Sequence, residues 1–255
     1  MNKISSLLII ALAMILASSC QQEADTTTTS TIDTLAYEYK TVEKTIDDCE
    51  ISCLQVRLKS LHFENAEAVQ KQVDSIMLRI GTNTYSSLAA FIDESIEEYT
   101  RLKEEIPSYD MPWELERMAV VNYNQSGYIG VSVSDYSFTG GAHPNSHHQH
   151  SLFTIDDGQL VTWTDIVTDA DEFLSYAESV FRENKSLSKT ASFEAEGYWF
   201  EGDAFYLPDN FFLDDKGINF FFNAYEVAPY SEGAIVLTID WDMMARFMRK
   251  GVVFN

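Results

Sequence analysis

Basic residues are scarce in this chain. Its 255 residues hold 17 Lys and Arg against 40 Asp and Glu, a formal charge of −23. Such a chain repels phosphate backbones and anionic membrane surfaces, which excludes nucleic-acid recognition through a basic face and leaves cations or basic proteins as electrostatic partners. Cysteine is sparse too, at three. The signatures of common catalytic machineries are missing: there is no G-x-S-x-G elbow, no H-E-x-x-H, no P-loop and no Gly-rich dinucleotide fingerprint. Internal repeats are absent as well. The chain does have apolar matter, 45% hydrophobic residues and 13% aromatics, with 16 Phe and 13 Tyr. That is enough to bury a core and rules out a disordered chain, and the length fits one domain or a tightly coupled pair.

The apolar run Leu7 to Leu16 follows Lys3 and is too short for a comfortable membrane span, so it reads as a secretory signal. It ends in Leu16-Ala17-Ser18-Ser19-Cys20, which resembles a bacterial lipobox, with Ala17 where Leu is usual. Cys20 would become the lipidated first residue. No Asp follows it, and Gln21-Gln22-Glu23-Ala24-Asp25 resembles the acidic export signal of Bacteroidetes surface lipoproteins. The expectation is an exported lipoprotein of the outer membrane, held there by its lipid. Residues 1–19 are the signal and 20–34 a polar, Thr-rich tether.

Cys49 and Cys53 then remain. In an exported protein, two cysteines so close in sequence point to a disulfide. On a single strand their Cα atoms would lie ~13 Å apart, so the bridge requires a turn over Asp47 to Glu50. The rival is a redox or metal pair, for which a CxxxC lacking a nearby His or further Cys is poorly suited.

Thr34 to Ile46 and Ile51 to Phe63 read as paired strands, and two helical stripes follow. The first runs from Ala66 to Ile80 with Gly81 as its stop; the second, from Leu88 to Leu102, stops before Pro107. From Trp113 the texture is strand-like. Asn124 to Gly127 marks one hairpin, between Glu114–Tyr123 and Tyr128–Phe138, and Asp156-Asp157-Gly158 another. One helix is expected over 165–186, strands over 204–212, 217–227 and 233–239, and a closing helix over 240–250. The order indicates α+β: an N-terminal ββαα module packed on an antiparallel β-rich domain with an inserted helix and a closing C-terminal helix.

Four of the five histidines fall between His143 and His150. Imidazole is the commonest metal ligand, and His148 and His150 would share a strand face. Gly140-Gly141 near Pro144 reads more simply as a tight connection. Thr154-Ile155-Asp156-Asp157-Gly158 resembles the acidic element of polysaccharide deacetylases, and His143 with His147 gives their HxxxH. Here, however, the acidic pair follows the histidines, the reverse of that family's order, and Val227 stands where its Arg is expected. No catalytic residue, metal or cofactor is assigned.

Two segments carry a resemblance over most of the chain: Thr139-Gly140-Gly141-Ala142-His143-Pro144-Asn145, and Tyr225-Glu226-Val227-Ala228-Pro229-Tyr230-Ser231-Glu232-Gly233. They resemble the RsiV-like C-terminal domain family, preceded by a PdaC-type N-terminal module. The resemblance places the module at 35–110 and the RsiV-like domain at 111–255. It marks Thr139, Gly140, Gly141, His143, Pro144 and Asn145, with Tyr225, Glu226, Pro229 and Tyr230, as the binding or structural motif. Relatives include the extracytoplasmic domain of a lysozyme-sensing anti-sigma factor and a domain appended to peptidoglycan deacetylases. In both, the shared region is not the catalytic part. The resemblance therefore implies a non-enzymatic ligand-binding or sensing module of the cell envelope, for a basic protein such as lysozyme or a peptidoglycan glycan. The competing class is a metal-assisted cell-wall polysaccharide hydrolase or deacetylase working through His143 to His150. Oligomeric state is left open.

Overall fold

Strand β1 (Tyr37–Asp48) pairs antiparallel with β2 (Ser52–Phe63), Tyr37 lying opposite Phe63 and Asp47 opposite Cys53. The computed structural model describes residues 33–48 and 52–254. The expected signal, the lipidation at Cys20 and the Cys49 half of the expected bridge lie outside the described residues; Cys53 is buried in β2.

Helix α1 (Glu67–Met77) buries Val69, Val73 and Met77. It ends before Gly81, because Arg117 reaches its C-terminal carbonyls: Nε donates to Met77 O at 3.0 Å, and Nη2 to Ile76 O at 2.6 Å and Arg79 O at 2.8 Å. The guanidinium replaces the amides of a further turn and sits at the negative end of the helix dipole. β3 (Arg79–Ile80) and β4 (Asn83–Thr84) then form a short hairpin, and Gly81 belongs to its turn with φ 60°. Helix α2 (Leu88–Glu105) starts at Ser87, whose hydroxyl accepts the Ala90 N–H at 3.1 Å.

With α1 and α2 as the crossover, β5 (Trp113–Gln125) returns parallel to β2. β6 (Tyr128–Phe138), β7 (Asn145–Thr154) and β8 (Leu160–Val161) follow antiparallel, completing one six-stranded sheet in the order β1-β2-β5-β6-β7-β8. That sheet runs without a break across residue 110. Ala119, Val131, Val133 and Phe153 receive α1, while Leu54, Val56, Leu58 and Trp113 receive Ile92 and Tyr99 of α2. A bulge between Val121 and Tyr123 reverses the alternation, so that Tyr123 joins the core on the other side.

That second core belongs to the C-terminal half. The single helix expected over 165–186 is two: α3 (Trp163–Ile166), opened by a Thr162/Asp165 capping box, and α4 (Ala170–Asn184), capped by Asp169. Two consecutive caps leave the intervening backbone non-helical. β9 (Phe211–Leu213), β10 (Gly217–Phe222) and β11 (Ile235–Asp240) form a three-stranded antiparallel sheet, and α5 (Trp241–Phe247) follows. The expected strand over 204–212 shrinks to β9. Phe205 and Leu207 are buried, but their segment runs into Pro208, which has no N–H for a ladder. β10 likewise stops at Phe222, short of Val227. Phe181 of α4 is ringed by Phe193, Tyr198, Phe200 and Phe205, with centroids 5.3 to 6.0 Å away. The aromatic richness of the sequence is spent largely here.

Candidate functional site

β7 is a wall between two halves. Alternation sends His148 and His150 toward β9 and β10, and His147 and Gln149 toward the helices. Beyond β8 the outer edge of β7 is hydrogen-bonded to no strand among the described residues, and side-chain amides take its place. Asn223 accepts the His148 N–H at 2.7 Å and donates to the His148 carbonyl at 3.0 Å. Asn210 accepts the His150 N–H at 2.7 Å and donates to the carbonyls of His148 and Phe221, each at 3.0 Å. An amide side chain offers the donor and acceptor that a paired strand would have supplied.

The imidazoles on this wall are packed, not poised. His148 and His150 lie parallel at 6.4 Å, both against Phe221, with His150 also on Phe212. Burial, and then neighbouring His148, pulls the His150 pKa down to about 4; burial and then His147 lowers that of His148. His150 Nδ1 lies 2.6 Å from Ser132 Oγ.

At the start of β7 the two motif segments meet. Gly140 and Gly141 have φ of 91° and 122°, and the Thr139 carbonyl accepts the Tyr109 hydroxyl at 3.2 Å. A Cβ on Gly140 would lie 3.3 Å from that hydroxyl. Beyond the glycines, His143 stacks on Tyr230 at 4.0 Å, and Tyr225 leans on Tyr230 at 5.3 Å. The Pro144 carbonyl accepts the Tyr230 hydroxyl at 3.2 Å, with His143 Nδ1 2.9 Å away. Asn145 opens β7 opposite Ser137 and is exposed.

The late motif is a looped connection between β10 and β11. Glu226 accepts the Asn223 N–H at 2.8 Å and the Tyr206 hydroxyl at 3.1 Å. Burial, reinforced by that carboxylate, pushes the Tyr206 phenol up to about 12. Val227 and Ala228 are buried, Pro229 leads into a 3₁₀ turn over Tyr230–Glu232, and Gly233 with φ 68° ends it. The buried pair pins the loop while Tyr225 is left 53% exposed. Trp199, 50% exposed, is tied to the same loop by its backbone N–H on the Val227 carbonyl at 2.9 Å.

Two clefts flank the wall. One of about 370 Å³ is lined by Ser146, His148, Asn223, Tyr230 and Glu232. The other, about 500 Å³, lies on the helix side and includes Phe91, Arg117, Asp135, His147 and Gln149. It contains the Arg117–Asp135 ion pair, buried at the arginine and partly exposed at the aspartate.

The sequence motifs Thr139–Asn145 and Tyr225–Tyr230 are thus brought together, but the four histidines are not. His143 is on the aromatic stack, His147 in the helix-side cleft, and His148 and His150 against β10. Among the described residues no three His, Cys, Asp or Glu side chains converge as a metal site. The Asp156-Asp157-Gly158 element is a turn: Asp157 accepts from the Thr154 hydroxyl and the Gln159 N–H, and Gly158 takes φ 67°. Sequence reasoning did not single out Arg117, Asn210, Asn223 or Trp199. The asparagines bracket aromatic strands, and no spacing announces that their amides bond β7.

Comparison with known proteins places these parts. Residues 47–146 match the family described as Deacetylase PdaC, and residues 164–242 match Protein of unknown function (DUF3298). The chain therefore carries both domains, and the PdaC match runs on through β5, β6 and the Thr139–Pro144 loop. Two crystal structures share the fold. A DUF3298 family protein from Pseudomonas aeruginosa PAO1 has a TM-score of 0.65 and 19% identity, over 86% of this chain and 96% of that one. A DUF3298 family member from Bacteroides fragilis NCTC 9343 has a TM-score of 0.64 and 17% identity, over 86% and 95%. No curated protein matches the sequence.

Proposed function

We propose that this chain is a non-catalytic binding module of the cell envelope, and that the face built by His143, Tyr225 and Tyr230 docks a basic protein. The observation that carries this reading is the convergence of two distant segments on one exposed aromatic stack, with Trp199 tied to the same loop. Exposed Tyr and Trp side chains on a pinned loop supply large contact area at little ordering cost, the usual composition of an interface anchor. Carboxylates border the face: Glu226, which accepts the Tyr206 hydroxyl, and Glu232, which is paired with Lys185 at 3.7 Å and which, after burial, raises the Tyr198 pKa. Together with the net charge of −23, they would steer a cationic partner toward it.

The resemblance to an RsiV-like domain points the same way, although lysozyme sensing belongs to that relative. The PdaC family's name carries a deacetylase activity. Binding is favoured over that chemistry because His143 is committed to a ring stack and His148 and His150 are desolvated among phenylalanines. The N-terminal lipobox-like segment supports an envelope location.

The test is titration against a C-type lysozyme, with a small basic protein of unrelated fold alongside. Binding is expected at low ionic strength and should weaken as the Debye length falls from about 30 Å at 0.01 M salt to about 8 Å at 0.15 M. Tyr225→Ala with Tyr230→Ala should weaken it by about tenfold or more. No binding at low salt, or equal affinity in the doubly substituted chain, would sink the proposal. Equal affinity for both basic proteins would reduce the interaction to unspecific charge.

A further inference from the structure

The two margins of the six-stranded sheet are finished differently. On one side β8 is two residues long, and the exposed stretch of β7 is bonded by Asn210 and Asn223, with Tyr230 on the Pro144 carbonyl just before it. On the other side stands β1, twelve residues with every position exposed except half-buried Ile46. Its outer edge pairs with no strand among the described residues. At about 3.4 Å per residue, this is a rail of some ~40 Å of backbone donors and acceptors. Such an edge is a template for another strand. Exposed Tyr37, Tyr39 and Val42 lie along it.

We propose that β1 pairs antiparallel with β1 of a second copy, joining two six-stranded sheets into one across a two-fold axis. The argument for that occupant is the strand's charge pattern. A two-fold axis normal to the sheet requires facing residues to share a side, so registers are centred on single residues. Centred on Thr41, the sequence Tyr-Glu-Tyr-Lys-Thr-Val-Glu-Lys-Thr sets Glu38 opposite Lys44 of the other copy. By symmetry this happens twice. The same register puts Tyr37 opposite Thr45, Tyr39 opposite Glu43, and Lys40 opposite Val42, with no like charges facing. Centred on Lys40, that lysine would face itself; centred on Val42, Lys40 would face Lys44; centred on Glu43, Glu38 would face Asp48. Like charges directly opposite are destabilising and opposite charges favourable. The Thr41 register is therefore the one that spans most of the strand while pairing opposite charges. Lysines on an edge also serve to keep strands apart, so the single-copy state is the alternative outcome.

The experiment is sedimentation equilibrium on the purified chain over a wide concentration range, with Glu38→Lys, Lys44→Glu and the double exchange. The native chain should show a monomer–dimer equilibrium. Each single reversal creates two like-charge pairs and should weaken the dimer by about tenfold; the double exchange restores both pairs and should recover the native affinity. All three variants alter exposed side chains, so their thermal unfolding should match the native chain and serves as the folding control. A monomer at every concentration overturns the proposal. So does a dimer indifferent to the single reversals, or one the double exchange fails to rescue.

Discussion

The imidazole of His143 lies on the phenol ring of Tyr230, with centroids 4.0 Å apart and planes 18° from parallel. The Pro144 carbonyl anchors both, accepting the Tyr230 hydroxyl at 3.2 Å with His143 Nδ1 2.9 Å away. This contact fastens the β6–β7 connection to the β10–β11 connection, so it supports the fold and forms the proposed docking face at once.

A double-mutant cycle separates those roles. His143→Ala and Tyr230→Ala, singly and together, should show a coupling of about 0.5–1.5 kcal/mol in urea unfolding. Tyr230→Phe keeps the stack and loses the bond to Pro144, which should cost about 1 kcal/mol. Zero coupling would mean that the rings merely lie together.

Acid should loosen the seam between β7 and β10. His150 has a folded pKa of about 4, against an ordinary value of 6.5. Between those values the unfolded chain binds the proton and the folded one does not. Stability from this residue is therefore fully present above about pH 6.5 and is lost as pH falls toward 4. At about 1.4 kcal/mol per unit, the loss is on the order of 3 kcal/mol. His150→Phe should flatten the pH dependence of urea unfolding across that window. An unchanged slope would show that His150 is not the group responsible.

Glu226 holds a loop through two accepted hydrogen bonds. Glu226→Gln keeps one oxygen but not two, so stability should fall by about 1 kcal/mol. The sharper readout is Tyr206. Removing the charge should move its phenol down from about 12, leaving the part due to burial. Ultraviolet titration of the native and Glu226→Gln chains measures this, and an identical profile would disconnect the pair.

Gly141 stands at φ 122°, where a side chain is strained although a Cβ would touch nothing within 4 Å. Gly141→Val should cost about 1–3 kcal/mol from backbone strain alone. Thermal unfolding decides the point. A variant of full stability with weakened ligand binding would assign the glycine to the ligand instead.

Arg117 is a buried charged side chain whose removal should be costly. Its side chain is 4% exposed, ion-paired with Asp135, and holds two carbonyls at the end of α1 and one in β3. Arg117→Met leaves those carbonyls without their donor and should lose about 3 kcal/mol. Asp135→Asn, at the more exposed end of the pair, should lose clearly less. Equal losses would show that the carbonyl bonds contribute little.

The sequence alone determined what local pattern and composition control. Alternation along β2, β5 and β6 reads as strands because apolar side chains on one pleat face must be covered. The Val69, Val73 and Met77 stripe, the Leu88 to Leu102 stripe and the Ser126-Gly127 turn are local as well, and from these the α+β class followed. Motif spelling also marked Thr139–Asn145 and Tyr225–Tyr230. That these two segments stack on one another was decided only by the tertiary structure, because their contacting residues lie more than eighty positions apart and are joined through the ring of Tyr230 and its bond to Pro144. The same holds for α1, which ends where Arg117 arrives from a distant strand rather than at the nearest glycine. Of the four histidines clustered in sequence, His143 stayed in the loop before β7, and the pleat of that strand parted His147 from His148 and His150. A strand sends alternate side chains to opposite faces, and which face met phenylalanines and which met a cleft was set by long-range packing.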